Sequence, residues 1–218
     1  MNFQVVRFSQ IQFKSLFIRI VVTTNSLVTT IVTSANKLAE TYECKFVSPT
    51  MKVESHMIEN IYTIGVYGST EATFFDELVS AGIDLFVDIR QRRGVRGHLY
   101  AYANSTYLQE KLKSLGIDYL HYQSLAPTTA LRQVQYSADA ETKTAQRQRE
   151  VLSSAFKAAY KKEILSGFDL DDFLSATDGH KRICLFCVEQ HAEACHRSLA
   201  AARLVDGLHV PVIHLMPE

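Results

Sequence analysis

The chain has 218 residues, 47% of them hydrophobic, and its 23 Lys+Arg are balanced by 23 Asp+Glu. That length and apolar content can close a core without staples and exclude a disordered, collagen-like or coiled-coil chain, while the zero net charge excludes a basic coat for nucleic acid. The balance is uneven: residues 1–39 hold Arg7, Lys14, Arg19 and Lys37 and no acid, so 19 basic residues face 23 acidic ones in the remainder.

The leading segment is therefore read apart from the rest. Ser15 to Val32 is apolar and β-branched, but Arg19 and Asn25 interrupt it, and a membrane span needs about 20 predominantly apolar residues without a costly central charge. No transmembrane helix is expected. The basic, Ser/Thr-rich, acid-free composition fits an organellar transit peptide, with a poor secretory signal as the next candidate. A start at Met51 or Met57, with an over-extended reading frame upstream, is the preferred third reading. Residues 1–56 are thus expected to be an unstructured N-terminal extension, and residues 57–218 a single α/β domain.

From Ile58 onward, short β-branched runs alternate with amphipathic segments, the pattern of βαβ units around a parallel sheet. Strands are expected at Ile61–Ile64, Leu85–Ile89, Tyr119–Tyr122, Ile183–Val188 and Val210–His214, and helices at Glu71–Ala81, Ser105–Leu115, roughly 141–166, Asp171–Ser175 and Ala192–Leu204. Gly82 and Gly116 follow two of these helices, where a left-handed residue ends the helix. The fold class is a three-layer α/β/α sandwich with a mostly parallel five-stranded sheet, Rossmann-like. Gln123 to Ala140 reads as a long loop, and loops of this length are usually lids or disordered.

Ligands of an open α/β sheet bind beyond the carboxyl ends of the strands. The first strand ends in Gly65-Val66-Tyr67-Gly68-Ser69, which reads either as an amide nest for an anion or as a plain glycine turn capped by Ser69 or Thr70. Neither the dinucleotide fingerprint nor the P-loop is present. The second strand runs through Asp88 and Arg90, on one face by period-two alternation, into Arg92, Arg93 and Arg96. Asp88 and Arg90 read as a buried structural pair or as a carboxylate in an anion site; four arginines between glycines favour the anion site.

The fourth strand carries Cys184 and Cys187, which point to opposite faces when extended, whereas Cys187 and Glu189 share one. Buried Cys is usually a small hydrophobe. Next come Cys195, His196 and Arg197. Packing on a stripe with Ala192, Leu199 and Ala202, and a Glu193–Arg197 pair, make the plain reading. A thiol at a helix N-terminus beside His and Arg, with a lowered pKa and a nearby acid or base, makes the chemical one. The scarce cysteines, Cys44 included, suit reduced thiols in a cytosol-like compartment rather than a secreted scaffold.

Thr63-Ile64-Gly65, Val87-Asp88-Ile89-Arg90, Ile117 to His121, and above all Cys187-Val188-Glu189 with Cys195-His196-Arg197 resemble the family called domain of unknown function 488, over about Ile61 to His214. The Arg-rich run after Asp88 is similar to one subgroup of it. The resemblance implies an α/β sandwich, a mostly prokaryotic, cytoplasmic setting and invariant polar residues at one end of the sheet, without a settled reaction. Many members carry His-Ser where this chain has Val66-Tyr67, so that histidine's role does not transfer, and Tyr67 is placed in the same space.

The first functional hypothesis is an enzyme of unknown reaction class: Arg90, Arg93, Arg96, Arg197 and Tyr67 hold a small anionic, phosphate-bearing substrate such as a nucleotide or nucleic-acid end, while Asp88, Glu189, Cys195 and His196 carry the chemistry. The second is a non-catalytic nucleotide or nucleic-acid binding module, although bulk charge does not favour duplex binding. The third is a zinc or iron site at Cys187, Cys195 and His196 with His191 as a further donor; the Cys187–Cys195 spacing is long for such a site, and no ligand set is assigned. The sequence names no cofactor and leaves the oligomeric state open. The expected location is cytoplasmic, or organellar if the N-terminal extension is retained.

Overall fold

The computed structural model describes residues 8–13, 16–23, 26–32, 58–95 and 97–217. The chain divides into two compact units, Met1–Val53 and Glu54–Glu218. In the first, β1 (Phe8–Phe13), β2 (Leu16–Thr23) and β3 (Ser26–Val32) form an antiparallel sheet in sequence order. Here the structure differs from the expected unstructured extension: β-branched residues suit a pleated pairing, and Ile11 lies opposite Ile18 as Val21 lies opposite Val28.

The second unit follows the expected alternation. Its elements are β4 (Asn60–Ile64), α1 (Glu71–Ser80), β5 (Leu85–Asp88), α2 (Ser105–Ser114), β6 (Asp118–His121), α3 (Thr129–Thr142), α4 (Ser154–Glu163), α5 (Leu170–Ala176), β7 (Arg182–Phe186), α6 (His196–Leu208) and β8 (Val212–Leu215). The five strands are all parallel, in the order β6-β5-β7-β4-β8. Alternate side chains feed two cores. Ile61, Val87, Ile183 and Leu185 pack with Leu131, Phe156, Phe173 and Leu204 of α3 to α6, whereas Tyr62, Phe86, Cys184 and Phe186 pack with Phe74, Leu78, Leu108 and Leu112 of α1 and α2. This is a three-layer α/β/α sandwich of Rossmann-like type. Gly82 and Gly116 adopt positive φ, 64° and 73°, just past α1 and α2.

One segment departs from expectation. Gln123 to Ala140 is largely helical: Thr128 caps α3 by accepting from the Leu131 N–H, and Lys143, at φ 53°, ends it. The long helix expected over 141–166 is confined to α4. The cause lies in the inner face of α3, where Leu131 is followed by the buried polar residues Gln135 and Asp139, so no apolar stripe announces the helix. Among the described residues, no helix is long and apolar enough to cross a membrane.

Candidate active site

The connection after β4 passes through α1 on one face of the sheet, and the connection after the adjacent β7 passes through α6 on the other. Such a reversal opens a crevice at the strand ends. The loop that follows β7 lies directly on Gly65: a Cβ there would sit 1.7 Å from the Glu189 carbonyl oxygen. The Val66 and Tyr67 amides both donate to the Val188 carbonyl, at 3.2 and 3.0 Å, and Thr70 caps α1 in a box with Thr73. The Gly65–Ser69 segment is therefore a glycine turn whose first amides are spent on the neighbouring loop, not aimed at an anion.

At the end of β5, Arg90 grips Asp88 through Nε to Oδ1 (2.9 Å) and Nη2 to Oδ2 (2.7 Å), and its Nη1 donates to the Ala103 carbonyl at 3.0 Å. Asp88 also accepts the Arg90 backbone N–H and the Tyr119 hydroxyl. Both side chains are buried, and the Arg90 guanidinium lies over the Phe186 ring, 4.5 Å from its centroid. Burial, with the Asp88 charge adding to it, pushes the Tyr119 hydroxyl up to about 12. Arg92 reaches the crevice; Arg93 stands beside Tyr119, outside its lining. Arg96 lies outside the described residues.

At the end of β7 the structure brings together Cys187, Glu189, Cys195 and His196. Cys187 Sγ is 3.4 Å from Glu189 Oε2 and 3.7 Å from His196 Nδ1, and Cys195 Sγ is 3.8 Å from the same nitrogen. His196 Nε2 lies 3.2 Å from the Ile89 carbonyl. Cys195 is the N-cap residue of α6, not a member of a helical stripe; the helix buries His196, Arg197, Ala200, Ala201 and Leu204 instead. Fully buried Arg197 spans from Thr63 Oγ1 to the Glu189 and Gln190 carbonyls, which fixes the loop and replaces the expected pair with Glu193. Cys184 faces the opposite core and His191 is exposed.

Burial opposes charge on the Cys195 thiol, but Cys187 and His196 outweigh it and carry the thiol well below its usual range. Burial likewise opposes charge on His196, and Cys195 beside it holds the imidazole above its ordinary value. Glu189 is pushed up to about 7, first by burial and then by Cys195. Contact with Cys195, reinforced by burial, keeps Cys187 well above the normal thiol range.

Above this floor opens a cleft of about 660 Å³ whose lining includes Tyr67, Arg90, Arg92, Arg132, Arg147 and Arg149; among the described residues Glu189 is its one carboxylate. Arg132, Arg147 and Arg149 were not singled out by the sequence. Arg149 pairs with Asp139, which also accepts from Gln135 Nε2 at 2.7 Å, and its Nη1 lies 3.6 Å from Glu189 Oε1. Gln146 Nε2 donates to the same oxygen at 3.1 Å. Exposed Arg147 lies over the rings of Tyr67 and Tyr100, at 5.1 and 5.4 Å. Burial and the Glu189 charge raise the Tyr67 hydroxyl. Among the described residues the buried Arg132 Nε has no hydrogen-bond partner, while Arg132 Nη2 donates to Gln91 Oε1 and Thr129 Oγ1. The run Gln146-Arg147-Gln148-Arg149 was the available signal, hidden inside a segment read as ordinary helix.

A family model described as "Domain of unknown function DUF488" matches residues 71–204. The chain belongs to that family. Neither the curated proteins nor the solved structures gave a match. The DUF488 span contains Asp88, Arg90 and the whole Cys187–Arg197 group; β4, Tyr67 and β8 fall outside it.

Proposed function

We propose that this DUF488 chain is an enzyme acting on a small anionic substrate, phosphate-bearing as in a nucleotide or a nucleic-acid end. The observation that carries this reading is one cleft with five arginines in its lining and Cys187, Glu189, Cys195 and His196 converging on its floor. Arginine's planar fork suits phosphate and carboxylate oxygens. Arg92, Arg132 and Arg147 line the cleft without a carboxylate partner among the described residues, so these three are the substrate-holding groups. Arg90 and Arg197 spend their donors on Asp88 and on loop carbonyls, which makes them positioning residues. Glu189 is the acid–base group by position, and His196 and Cys195 complete the reacting centre. The free, buried thiols suit a reducing compartment such as the cytoplasm.

A second reading, a non-catalytic nucleotide or nucleic-acid module, draws on Arg147 lying over Tyr67 and Tyr100, a cation with aromatic faces of the kind that binds bases. Melting curves with inorganic phosphate and adenosine monophosphate, together with phosphate release from nucleoside monophosphates, separate the two. A ligand at about 100 times its Kd adds roughly 2.7 kcal/mol. The enzymatic reading expects Glu189→Gln to bind without turnover and Arg132→Ala to bind about tenfold more weakly, with turnover at low substrate falling in proportion. Turnover unchanged in both variants overturns it, and salt-sensitive binding without any turnover supports the module.

A further inference from the structure

The floor of the cleft carries more than proton-transfer groups. Cys187 Sγ, Cys195 Sγ and His196 Nδ1 all lie within 4.8 Å of one another, and both sulfurs stand 3.7–3.8 Å from the nitrogen. Zinc bonds of about 2.3 Å to sulfur and about 2.0–2.1 Å to nitrogen, opened to a tetrahedral angle, separate these atoms by about 3.6 Å. We infer that Cys187, Cys195 and His196 form a zinc-binding site with a fourth position open to the cleft.

Three further observations point the same way. His196 Nε2 faces the Ile89 carbonyl, so an Nε2–H donated there leaves Nδ1 as a lone pair toward the two sulfurs. A backbone carbonyl behind the distal ring nitrogen is the usual way a ligating histidine is oriented. Among the described residues this buried Nδ1 meets two sulfurs at long range and nothing closer, a poor return for burying an imidazole. The three donors also come from two rigid places, the end of β7 and the first turn of α6, and Arg197 ties the intervening loop to Gly65 and Thr63. Two Cys and one His with an open position is a catalytic rather than a closed structural zinc set.

Glu189 stands beside the set, 3.4 Å from Cys187 Sγ, and is held from the far side by Gln146 and Arg149. The exposed His191 and Cys184 on the opposite face take no part. This inference deepens the proposed function and rests on it for what meets the open position; the ligand set rests on geometry alone.

The test uses the full chain without a histidine tag, equilibrated with zinc sulfate, freed of excess metal and analysed for zinc, with a parallel sample exchanged to cobalt(II). The expected result is about one zinc per chain, thiolate-to-cobalt charge-transfer absorption, loss of both in Cys187→Ser and Cys195→Ser, and retention in Cys184→Ala. The cobalt spectrum of the wild-type chain decides the matter even where a variant does not fold. A wild-type chain that retains no zinc, a Cys187–Cys195 disulfide in its place, or a cobalt spectrum without thiolate bands overturns the inference. Zinc bound with no binding of inorganic phosphate supports the site and overturns the anionic-substrate reading; phosphate release by a wild-type chain that retains no zinc after equilibration does the reverse.

Discussion

Two buried polar centres stand at the ends of the neighbouring strands β5 and β7, and they are built on opposite principles. At the end of β5, Asp88 and Arg90 saturate one another, and Tyr119 and the Ala103 carbonyl take what remains. At the end of β7, two thiols and an imidazole nitrogen meet only at long range and face an open cleft. Both centres are buried, so burial does not separate scaffold from site. Unspent bonding capacity does.

The sharpest break of this contrast is Asp88→Ala, which leaves the Arg90 guanidinium buried without its partner. A loss of about 3–5 kcal/mol in urea denaturation is expected, most of it recovered when Asp88→Leu is combined with Arg90→Met. A loss near zero would mean the β5 centre is not closed. Gly65→Ala comes next. Its Cβ meets the Glu189 carbonyl, so the Cys187–Gln190 loop must move, at about 1–3 kcal/mol. Phosphate binding is expected to fall further than stability does.

The opposite pattern is expected at the cleft. Arg132→Ala and Arg147→Ala leave stability within about 0.5 kcal/mol while weakening phosphate binding about tenfold, or ~1.4 kcal/mol, by isothermal titration. The smallest effect lies at the far end of the sheet, where His180 contacts Asp118 at 3.0 Å. Burial lowers His180, but Asp118 and the Thr177 carbonyl outweigh it and hold the imidazole above its ordinary value. With the folded value raised, this contribution is complete below the unfolded value near 6.5 and is lost as pH rises through the folded one. Solvent screens the pair, so the pH slope of stability is shallow, and His180→Gln flattens it without touching phosphate binding.

Much of this molecule was legible in its sequence. The strands and most helices are announced by periodicity, and Gly82 and Gly116 mark helix ends by the left-handed backbone they adopt. The Cys187, Glu189, Cys195 and His196 group was legible as types and spacing, and the structure brings the four together. What was not legible is saturation. The run Arg90 to Arg96 reads as one positive island, yet Arg90 lines the cleft with its donors consumed by Asp88 and the Ala103 carbonyl, Arg93 lies off the cleft and Arg92 joins its lining. The cationic wall comes instead from α3 and the turn after it, whose inner face of Gln135 and Asp139 disguises the helix and whose arginines meet the site only through tertiary packing.

That the cleft at the end of β7, and not Arg93 in the run after β5, holds the anion is decided by isothermal titration of inorganic phosphate into the wild-type, Arg132→Ala and Arg93→Ala chains. Arg93→Ala is expected to bind like the wild type and Arg132→Ala about tenfold more weakly. Phosphate binding lost in Arg93→Ala and intact in Arg132→Ala would contradict it.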